Sequence, residues 1–259
     1  MRFKDKVALV TGGSSGIGKA TALLMAREGA KVAINARGEA RCEEALEEIR
    51  ALGGEALALA GDISDPAHVE QLVRQTVDRW GRLDIVVANA GVNGVFAPIE
   101  ELTVEEWDRT HAINVRGTFL TVKYAIPPLR ESGGGSIVIV SSVNGTRIFS
   151  NAGCSPYATS KAAQVGFAKM AALELARFKI RVNVVCPGAT ETNVRENTQT
   201  RNLDRIRIPR DFPEGPIPLA DDQATPEQVG ETILFLASDA SDYVTGTELY
   251  VDAGLSLFM

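Results

Sequence analysis

Short apolar runs alternate along the chain with longer stretches whose apolar residues recur every three or four positions. The short runs are almost continuously apolar, which is typical of parallel strands buried on both faces. They predict seven strands, at Lys6–Thr11, Lys31–Ala36, Ala56–Ala60, Leu83–Ala88, Ser136–Ser141, Arg181–Cys186 and Glu248–Val251. The stretches between them have helical periodicity, as at Val69, Leu72 and Val73. This alternation predicts an α/β fold with a doubly wound parallel sheet and helices on both faces.

Helix starts carry recognisable capping signals. Three of them place a capping side chain directly before a proline, at Asp65-Pro66, Ser155-Pro156 and Thr225-Pro226. Thr103 with Glu106, and Thr225 with Gln228, have the spacing of a capping box. These signals fix where the predicted helices begin.

One long segment, residues 188–222, has no clear periodicity and is rich in proline, at Pro209, Pro213, Pro216 and Pro218. It follows the carboxyl end of a predicted strand, where open α/β sheets bind their ligands, so we expect a substrate lid. Its central part holds five arginines against Glu196 and Asp204, namely Arg195, Arg201, Arg205, Arg207 and Arg210. Two interpretations stand: the arginines attract an anionic substrate, or they pair with nearby acids.

Composition narrows the functional classes. The 259 residues carry a formal charge of −6, which disfavours a duplex-binding surface. Three cysteines without CxxC spacing and two distant histidines argue against a disulfide framework and a metal site. The sequence has neither a signal-peptide core nor an apolar stretch long enough for a membrane helix. We expect a soluble, cytoplasmic protein that does not bind nucleic acid or membrane.

A glycine-rich turn follows the first predicted strand and leads into a helix, with the sequence Thr11-Gly12-Gly13-Ser14-Ser15-Gly16-Ile17-Gly18. Gly12 permits a tight turn, and Gly16 and Gly18 let the backbone approach a pyrophosphate. The helix start then offers unpaired N–H groups to the phosphates. A simple turn of small residues is the alternative, but the strand–turn–helix context favours nucleotide binding.

The spacing of this turn, TGxxxGxG, resembles the short-chain dehydrogenase/reductase family. Later motifs of that family occur in order along the whole chain: Asn89-Ala90-Gly91, Asn114, Ser142 with Tyr157-x-x-x-Lys161, Pro187-Gly188 with Thr192, Tyr243-Val244-Thr245-Gly246 and Val251-Asp252-Ala253-Gly254. The resemblance is to the classical branch, near its 3-oxoacyl-[acyl-carrier-protein] reductases. It implies a Rossmann-like fold, one domain spanning residues 1–259 and a homotetramer.

The resemblance also implies an oxidoreductase that transfers hydride between nicotinamide and a secondary alcohol or ketone. Its catalytic residues are then Asn114, Ser142, Tyr157 and Lys161. The residues expected to bind the coenzyme are Gly12, Ser14, Ser15, Gly16, Ile17, Gly18, Arg37, Asp62, Ile63, Asn89, Ala90, Gly91, Tyr157, Lys161, Pro187, Gly188, Thr190 and Thr192. No metal is expected.

Tyr157 and Lys161 lie four residues apart, so a helix places them on one face. A nearby ammonium favours the phenolate, and we therefore expect Lys161 to lower the pKa of Tyr157. Ser142 would then polarise the substrate oxygen while Tyr157 exchanges its proton. By resemblance, Asn114 acts through a water chain to Lys161. In isolation the Tyr157–Lys161 spacing is more typical of an ordinary surface pair, but its position after a serine at a strand end, within the motif series, favours catalysis.

The stretch between Ser142 and Tyr157 is about two residues longer than in many relatives. It predicts a modified pocket wall, in which Val143, Phe149 and Asn151 contact the substrate. Simple loop packing is the alternative role for these three residues.

Coenzyme choice depends on the end of the second predicted strand. Ala36 stands where an acid would bind the ribose 2′-hydroxyl, and Arg37 follows with a guanidinium that suits a phosphate. This favours NADP(H), whereas Ser15 stands where many NADP-preferring relatives carry a second basic residue. NAD(H) therefore remains the alternative. By resemblance, Asp62 and Ile63 flank the adenine.

Other functions fit the same fold. An NAD-dependent sugar or alcohol dehydrogenase is the nearest alternative, and a non-catalytic nucleotide sensor is a second. The sensor has no need of Tyr157 as an acid–base group, which disfavours it. An epimerase or dehydratase is a third, although 259 residues leave little room for an appended substrate domain.

Overall fold

The computed structural model describes residues 1–149, 151–192, 198–208, 217–220 and 222–257. Within them, seven strands form one parallel sheet in the order β3-β2-β1-β4-β6-β7-β9. These strands are β1 (Val7–Thr11), β2 (Lys31–Ala36), β3 (Ala56–Ala60), β4 (Ile85–Ala88), β6 (Gly135–Val140), β7 (Ile180–Pro187) and β9 (Glu248–Val251). A second, parallel pair joins the short strands β5 (Val95–Phe96) and β8 (Gln199–Thr200). All seven predicted strands are confirmed.

Helices cover both faces of the large sheet, as the hydrophobic pattern predicts. They are α1 (Gly16–Arg27), α2 (Glu39–Ala51), α3 (Pro66–Trp80), α4 (Val104–His111), α5 (Gly117–Glu131), α6 (Ser155–Leu175) and α7 (Pro226–Ala237). One core cluster packs Leu72, Leu129 and Ala168 against the sheet, and another packs Met25 and Ile233 on the opposite side. None of the helices in the described ranges is long and apolar enough to span a bilayer.

The strand order reverses between β1 and β4, since the chain runs outward from β1 to β3 and then returns to the centre. At such a reversal the loops leave the sheet in opposite directions and open a crevice at the carboxyl ends of the strands. The glycine-rich turn follows β1, and the Asn89-Ala90-Gly91 motif follows β4. Both predicted motifs therefore meet at this crevice.

The capping signals are confirmed at three helix starts and wrong at one. Asp65 accepts a hydrogen bond from the Ala67 N–H, and capping boxes close at Thr103 and Thr225. Ser155, however, is the first residue of α6, and the Cys154 side chain before it makes no capping bond. The proline fixes this start in place of a hydroxyl cap, because its φ angle already suits a helix.

The expected substrate lid is described only in part. Its residues Arg195, Glu196, Pro209, Arg210, Pro213 and Pro216 lie outside the described ranges. Within 198–208, Arg201 makes a two-pronged ion pair with Glu106, both N–O distances being 2.9 Å, and Arg205 pairs with Glu101. For these two arginines the structure supports pairing with nearby acids over the attraction of an anionic substrate.

Candidate active site

A cleft of about 810 Å³ opens at the carboxyl edge of the sheet and runs past the β1–β4 crevice. Nearly every residue predicted to bind the coenzyme or catalyse the reaction lines it. The exceptions are Gly18, which packs beneath the turn, and Asn114, which lies behind the cleft wall. The structure therefore brings together residues that are spread from position 12 to position 192.

The glycine-rich turn forms a cradle that only glycine can build. Gly12 has a φ of +67°, and a Cβ there would lie 2.8 Å from the Asn89 amide nitrogen. A Cβ on Gly18 would overlap the Gly12 carbonyl oxygen. Asn89 closes the turn by donating to the Thr11 carbonyl at 3.0 Å. Because the Ser15 side chain makes no cap, the first N–H groups of α1 remain available to an anion, which fits the pyrophosphate of a dinucleotide.

Basic side chains lie at the far end of the cleft, beyond β2 and β3. Arg37 and Arg41 both line it, opposite Asp62. Hydrogen bonds from Ser64 hold the pKa of the Asp62 carboxyl below its usual value, and the charge of Arg37 contributes. Arg41 was missed at the sequence level, although its place one helical turn after Arg37 was a usable signal. This end of the cleft thus carries two guanidinium groups and one carboxylate.

Ser142 follows β6 and lines the centre of the cleft. Its Oγ accepts a hydrogen bond from the Asn144 N–H at 3.1 Å, and its own proton is directed toward Tyr157. The neighbouring Ser141 instead donates its hydroxyl to the Lys161 carbonyl at 2.9 Å and is buried. Both serines line the cleft, but they differ in their hydrogen bonds: the Ser141 hydroxyl is used by the Lys161 carbonyl, whereas Ser142 is bonded toward Asn144.

Tyr157 and Lys161 lie on the same face of α6, with the Lys161 Nζ 5.6 Å from the centre of the tyrosine ring. Burial lowers the pKa of Lys161 to about 8, and its Nζ donates to the Val140 carbonyl at 3.0 Å. Burial also raises the pKa of Tyr157, against an opposing hydrogen bond from Ser142. The expected lowering of the Tyr157 pKa is therefore wrong for the protein without coenzyme, because desolvation outweighs the Ser142 hydrogen bond.

Asn114 is fully buried in a π-helical stretch, Ala112–Arg116, between α4 and α5. Its amide binds the Val92 backbone twice, accepting at 2.8 Å and donating at 2.9 Å, and also donates to Ser160. Gly91 separates it from Lys161, and a Cβ there would lie 3.2 Å from the Asn114 Oδ1 and 3.5 Å from the Lys161 Nζ. These bonds position the cleft wall next to Lys161.

The segment after β7 closes the cleft from the other side. Gly188 donates its N–H to the Val251 carbonyl at 2.9 Å and lies against Asp252. Thr192 reaches the start of α1, since a Cβ on Gly16 would lie 3.1 Å from its methyl group. Pro187 and Thr190 also line the cleft here.

The remaining wall comes from the stretch between Ser142 and Tyr157. Val143 and Asn151 line the cleft, whereas Phe149 borders a neighbouring apolar hollow. Phe96 adds a ring 6.5 Å from that of Tyr157. Thr198 and Thr200 come from the segment paired with β5, and no local sequence pattern predicts their place in the wall. Within the described ranges, no group of three or more acidic, histidine or cysteine side chains is arranged to hold a metal ion.

Comparisons with known proteins show the family to which the chain belongs. A family profile described as Enoyl-(Acyl carrier protein) reductase matches residues 12–256. Levodione reductase from Leifsonia aquatica is 37% identical, over 98% of this chain and 96% of its own. The crystal structure of a 3-ketoacyl-ACP reductase from Sinorhizobium meliloti is 48% identical, with a TM-score of 0.94 over 98% of this chain and all of that one.

A further solved structure bears on the coenzyme. A 3-ketoacyl-(acyl-carrier-protein) reductase from Brucella melitensis, complexed with NADH, is 34% identical. Its TM-score is 0.86, over 98% of this chain and 99% of that one. The cleft thus belongs to a nicotinamide-dependent oxidoreductase acting on CH–OH and C=O groups. The chain is a member of the classical short-chain dehydrogenase/reductase family and resembles its 3-oxoacyl-[acyl-carrier-protein] reductases.

Proposed function

We propose that this protein is an NADP(H)-dependent oxidoreductase that interconverts a secondary alcohol and a ketone, with Tyr157 as the general acid and base. The observation that carries the proposal is one continuous cleft, lined at one end by the glycine cradle and the Arg37 side chain and at its centre by Ser142 and Tyr157. A nucleotide sensor has no need of Ser142 and Tyr157 at the centre of this cleft.

The residues divide the chemistry between them. The Ser142 hydroxyl, whose acceptor side is filled by the Asn144 N–H, donates to the substrate oxygen. Tyr157 gives that oxygen a proton in reduction and removes it in oxidation. The Lys161 ammonium stabilises the phenolate once the proton has left. A bound nicotinamide ring supplies or accepts the hydride. Asn114 keeps Val92 and Gly91 in place beside Lys161.

The first test is Tyr157→Phe, which removes the phenolic proton and keeps the ring. We expect kcat to fall by roughly 10²–10⁴, the range that general acid–base groups contribute, with coenzyme affinity nearly unchanged. Steady-state kinetics and fluorescence titration with NADPH measure the two effects. Tyr124→Phe, on α5 away from the cleft, is the matched control. Retained activity in Tyr157→Phe would contradict the proposal.

The second test concerns the coenzyme. Arg37 and Arg41 favour NADP(H), because guanidinium groups bind phosphate through charge-assisted hydrogen bonds. The NADH complex of the Brucella melitensis relative represents the alternative, an NAD-dependent sugar or alcohol dehydrogenase. We expect a higher kcat/KM with NADPH than with NADH, and a roughly tenfold loss of that preference in Arg37→Gln.

The control for this test is Arg50→Gln, which removes an exposed arginine at the other end of α2. Arg41→Gln should shift the preference in the same direction as Arg37→Gln. Equal or better catalysis by the wild type with NADH would overturn the NADP(H) assignment and leave the reaction class untouched.

The quaternary structure is part of the same proposal. Residues 1–259 form one catalytic unit, and four copies assemble as a homotetramer, as the family resemblance implies. Exposed apolar side chains on α5 and α6, among them Phe119, Met170 and Leu173, support an interface between copies.

A further inference from the structure

The part of the cleft beyond Tyr157 is uncharged in the described ranges. The charged lining residues lie elsewhere: Arg37, Arg41 and Asp62 at the β2–β3 end, and Lys161 behind Tyr157. Beyond Tyr157 the walls combine apolar groups with the amides of Asn144 and Asn151, the apolar groups being Phe96, Val143 and Ile148. An anion bound here would find no described cation within the lining except Lys161, so the walls suit an uncharged substrate.

Two arginines of the described stretch 198–208 are neutralised by ion pairs. Arg201 is held by both carboxylate oxygens of Glu106, and Arg205 by Glu101. Neither arginine lines the cleft. The charges of Arg201 and Arg205 are therefore compensated by carboxylates outside the cleft lining.

Asn144 and Asn151 form a hydrogen-bonded amide pair within the lining. The Asn151 Nδ2 donates to the Asn144 Oδ1 at 2.9 Å. Each amide has one donor group and one acceptor, so this bond leaves one NH₂ group and one carbonyl oxygen unused. If the amide oxygen and nitrogen of both side chains are exchanged, Asn144 becomes the donor and Asn151 the acceptor, and one NH₂ group and one carbonyl oxygen are again left unused. The pair thus presents both a donor and an acceptor to a ligand.

The Asn144 half of the pair is fixed close to Ser142. The Asn144 N–H donates to the Ser142 Oγ at 3.1 Å, so the first amide stands two residues from the catalytic hydroxyl. Gly145, with a φ of +82°, lies so close to α6 that a Cβ would overlap the Ala158 carbonyl oxygen. Its N–H also donates to Ile148 at 3.2 Å. The backbone around Asn144 is therefore packed in one arrangement.

We propose that the Asn144–Asn151 pair selects uncharged ketones and alcohols that carry a second oxygen next to the reacting carbon, such as hydroxyketones, diols and diketones. The inference rests on the proposed function and names its substrate class. A hydroxyl satisfies both halves of the pair, and a carbonyl satisfies the NH₂ group. A substrate without this oxygen leaves the two amides unpaired when it displaces water, and a site of this kind discriminates strongly.

The experiment compares three ketones on one ring: cyclohexanone, 2-hydroxycyclohexanone and 1,2-cyclohexanedione. For the wild type we expect the two oxygenated ketones to exceed cyclohexanone in kcat/KM by roughly tenfold or more. The anionic 2-oxocyclohexane carboxylate should be a poorer substrate than the hydroxyketone. A carboxylate preference would overturn the proposal.

Isosteric variants sharpen the test. In Asn151→Asp, the new carboxylate accepts one N–H of the Asn144 NH₂ group, so the free N–H groups of the pair fall from three to one while acceptors are gained. The hydroxyketone, which can also donate, should keep more of its advantage over cyclohexanone than the diketone does. Asn144→Asp, which places the carboxylate at the other residue of the pair, should change the kcat/KM ratios of the ketones in the same direction. An effect of charge alone would shift all three ketones together, and unchanged ratios in both variants would overturn the proposal.

Binding provides an independent readout. Titration calorimetry of the three ketones into the Tyr157→Phe protein with NADP bound should give affinities in the same order as the kcat/KM values. Adding Asn151→Asp or Asn144→Asp to Tyr157→Phe should weaken the binding of the diketone in the same way. If no ketone is reduced with either coenzyme, the proposed function fails, and the binding order still decides the role of the pair. A flat binding order would overturn that role.

Discussion

Burial controls the protonation of the two groups at the centre of the cleft. Lys161 is 5% exposed, and its ammonium donates to a single described carbonyl, that of Val140. Desolvation disfavours its charged form and lowers its pKa to about 8. In the folded protein, a charged Lys161 therefore works against stability, which is a common cost of functional side chains.

This cost can be measured as a pH dependence. The folded-state pKa of Lys161, about 8, lies below the 10.5 of an exposed lysine, so the unfolded chain binds more protons between these values and the free energy of unfolding rises with pH there. Lys161→Met should stabilise the coenzyme-free protein at neutral pH by on the order of 1–3 kcal/mol, and less above pH 10. Denaturant unfolding at both pH values tests this, with the exposed Lys4→Met as control. A less stable Lys161→Met protein at neutral pH would contradict the prediction.

Spacing and burial explain which residue properties were predictable. The four-residue interval of Tyr157 and Lys161 predicts their shared face, because helix geometry is local. The direction of the tyrosine pKa was not predictable, since it depends on how much of the fold covers the ring. Arg41 illustrates a third case, because its role arises only when α2 is placed beside the end of β2.

At the scale of elements, the long strands are encoded by local sequence, whereas the short strands depend on contacts between distant residues. The seven strands of the main sheet were predictable because each is a mostly apolar run of four to eight residues. β5 and β8 are two residues long, and they exist because residues about 100 positions apart pair, as Val95 does with Gln199. No local pattern encodes that contact, yet it places Phe96 and Thr200 in the cleft wall.

The ion pair between Arg201 and Glu106 holds this short sheet in place. The Arg201 guanidinium is the main reason why the pKa of Glu106 is lowered to about 2, so the pair persists above pH 4.5 and is lost as pH falls toward 2. Arg201→Gln should speed amide hydrogen exchange in residues 198–208 at neutral pH, and the Arg201 N–H bonded to Phe96 reports this directly.

Mass spectrometry of the exchanged peptides provides the measurement. Arg50→Gln, which breaks the exposed pair with Glu43 on α2, should leave residues 198–208 unchanged. Equal exchange in Arg201→Gln and wild type would show that the β5–β8 hydrogen bonds alone hold the segment.

At the scale of the whole molecule, the strand order determines where chemistry occurs. The crevice between β1 and β4 collects the loops after both strands, and the loops after β6 and β7 lie beside it. The sequence predicts the alternation that produces such a sheet, but the strand order follows from packing over the entire chain. Away from this crevice, α5 and α6 carry a row of apolar side chains, namely Phe119, Phe167, Met170 and Leu173.

This apolar row suits an interface between copies of the chain. Phe119 on α5 contacts Phe167 on α6 edge-on at 6.0 Å, and Met170 and Leu173 continue at three-residue intervals, Leu173 being 75% exposed. A homotetramer with dihedral symmetry uses at least two kinds of interface, so a charge in one of them should leave dimers or monomers. We expect Leu173→Glu to reduce the mass seen by light scattering after gel filtration, while Leu52→Glu, at the exposed residue directly after α2, leaves it unchanged. A monomeric wild type, or an intact tetramer in Leu173→Glu, would refute this interface, because burying a glutamate without a partner costs more than an apolar contact returns.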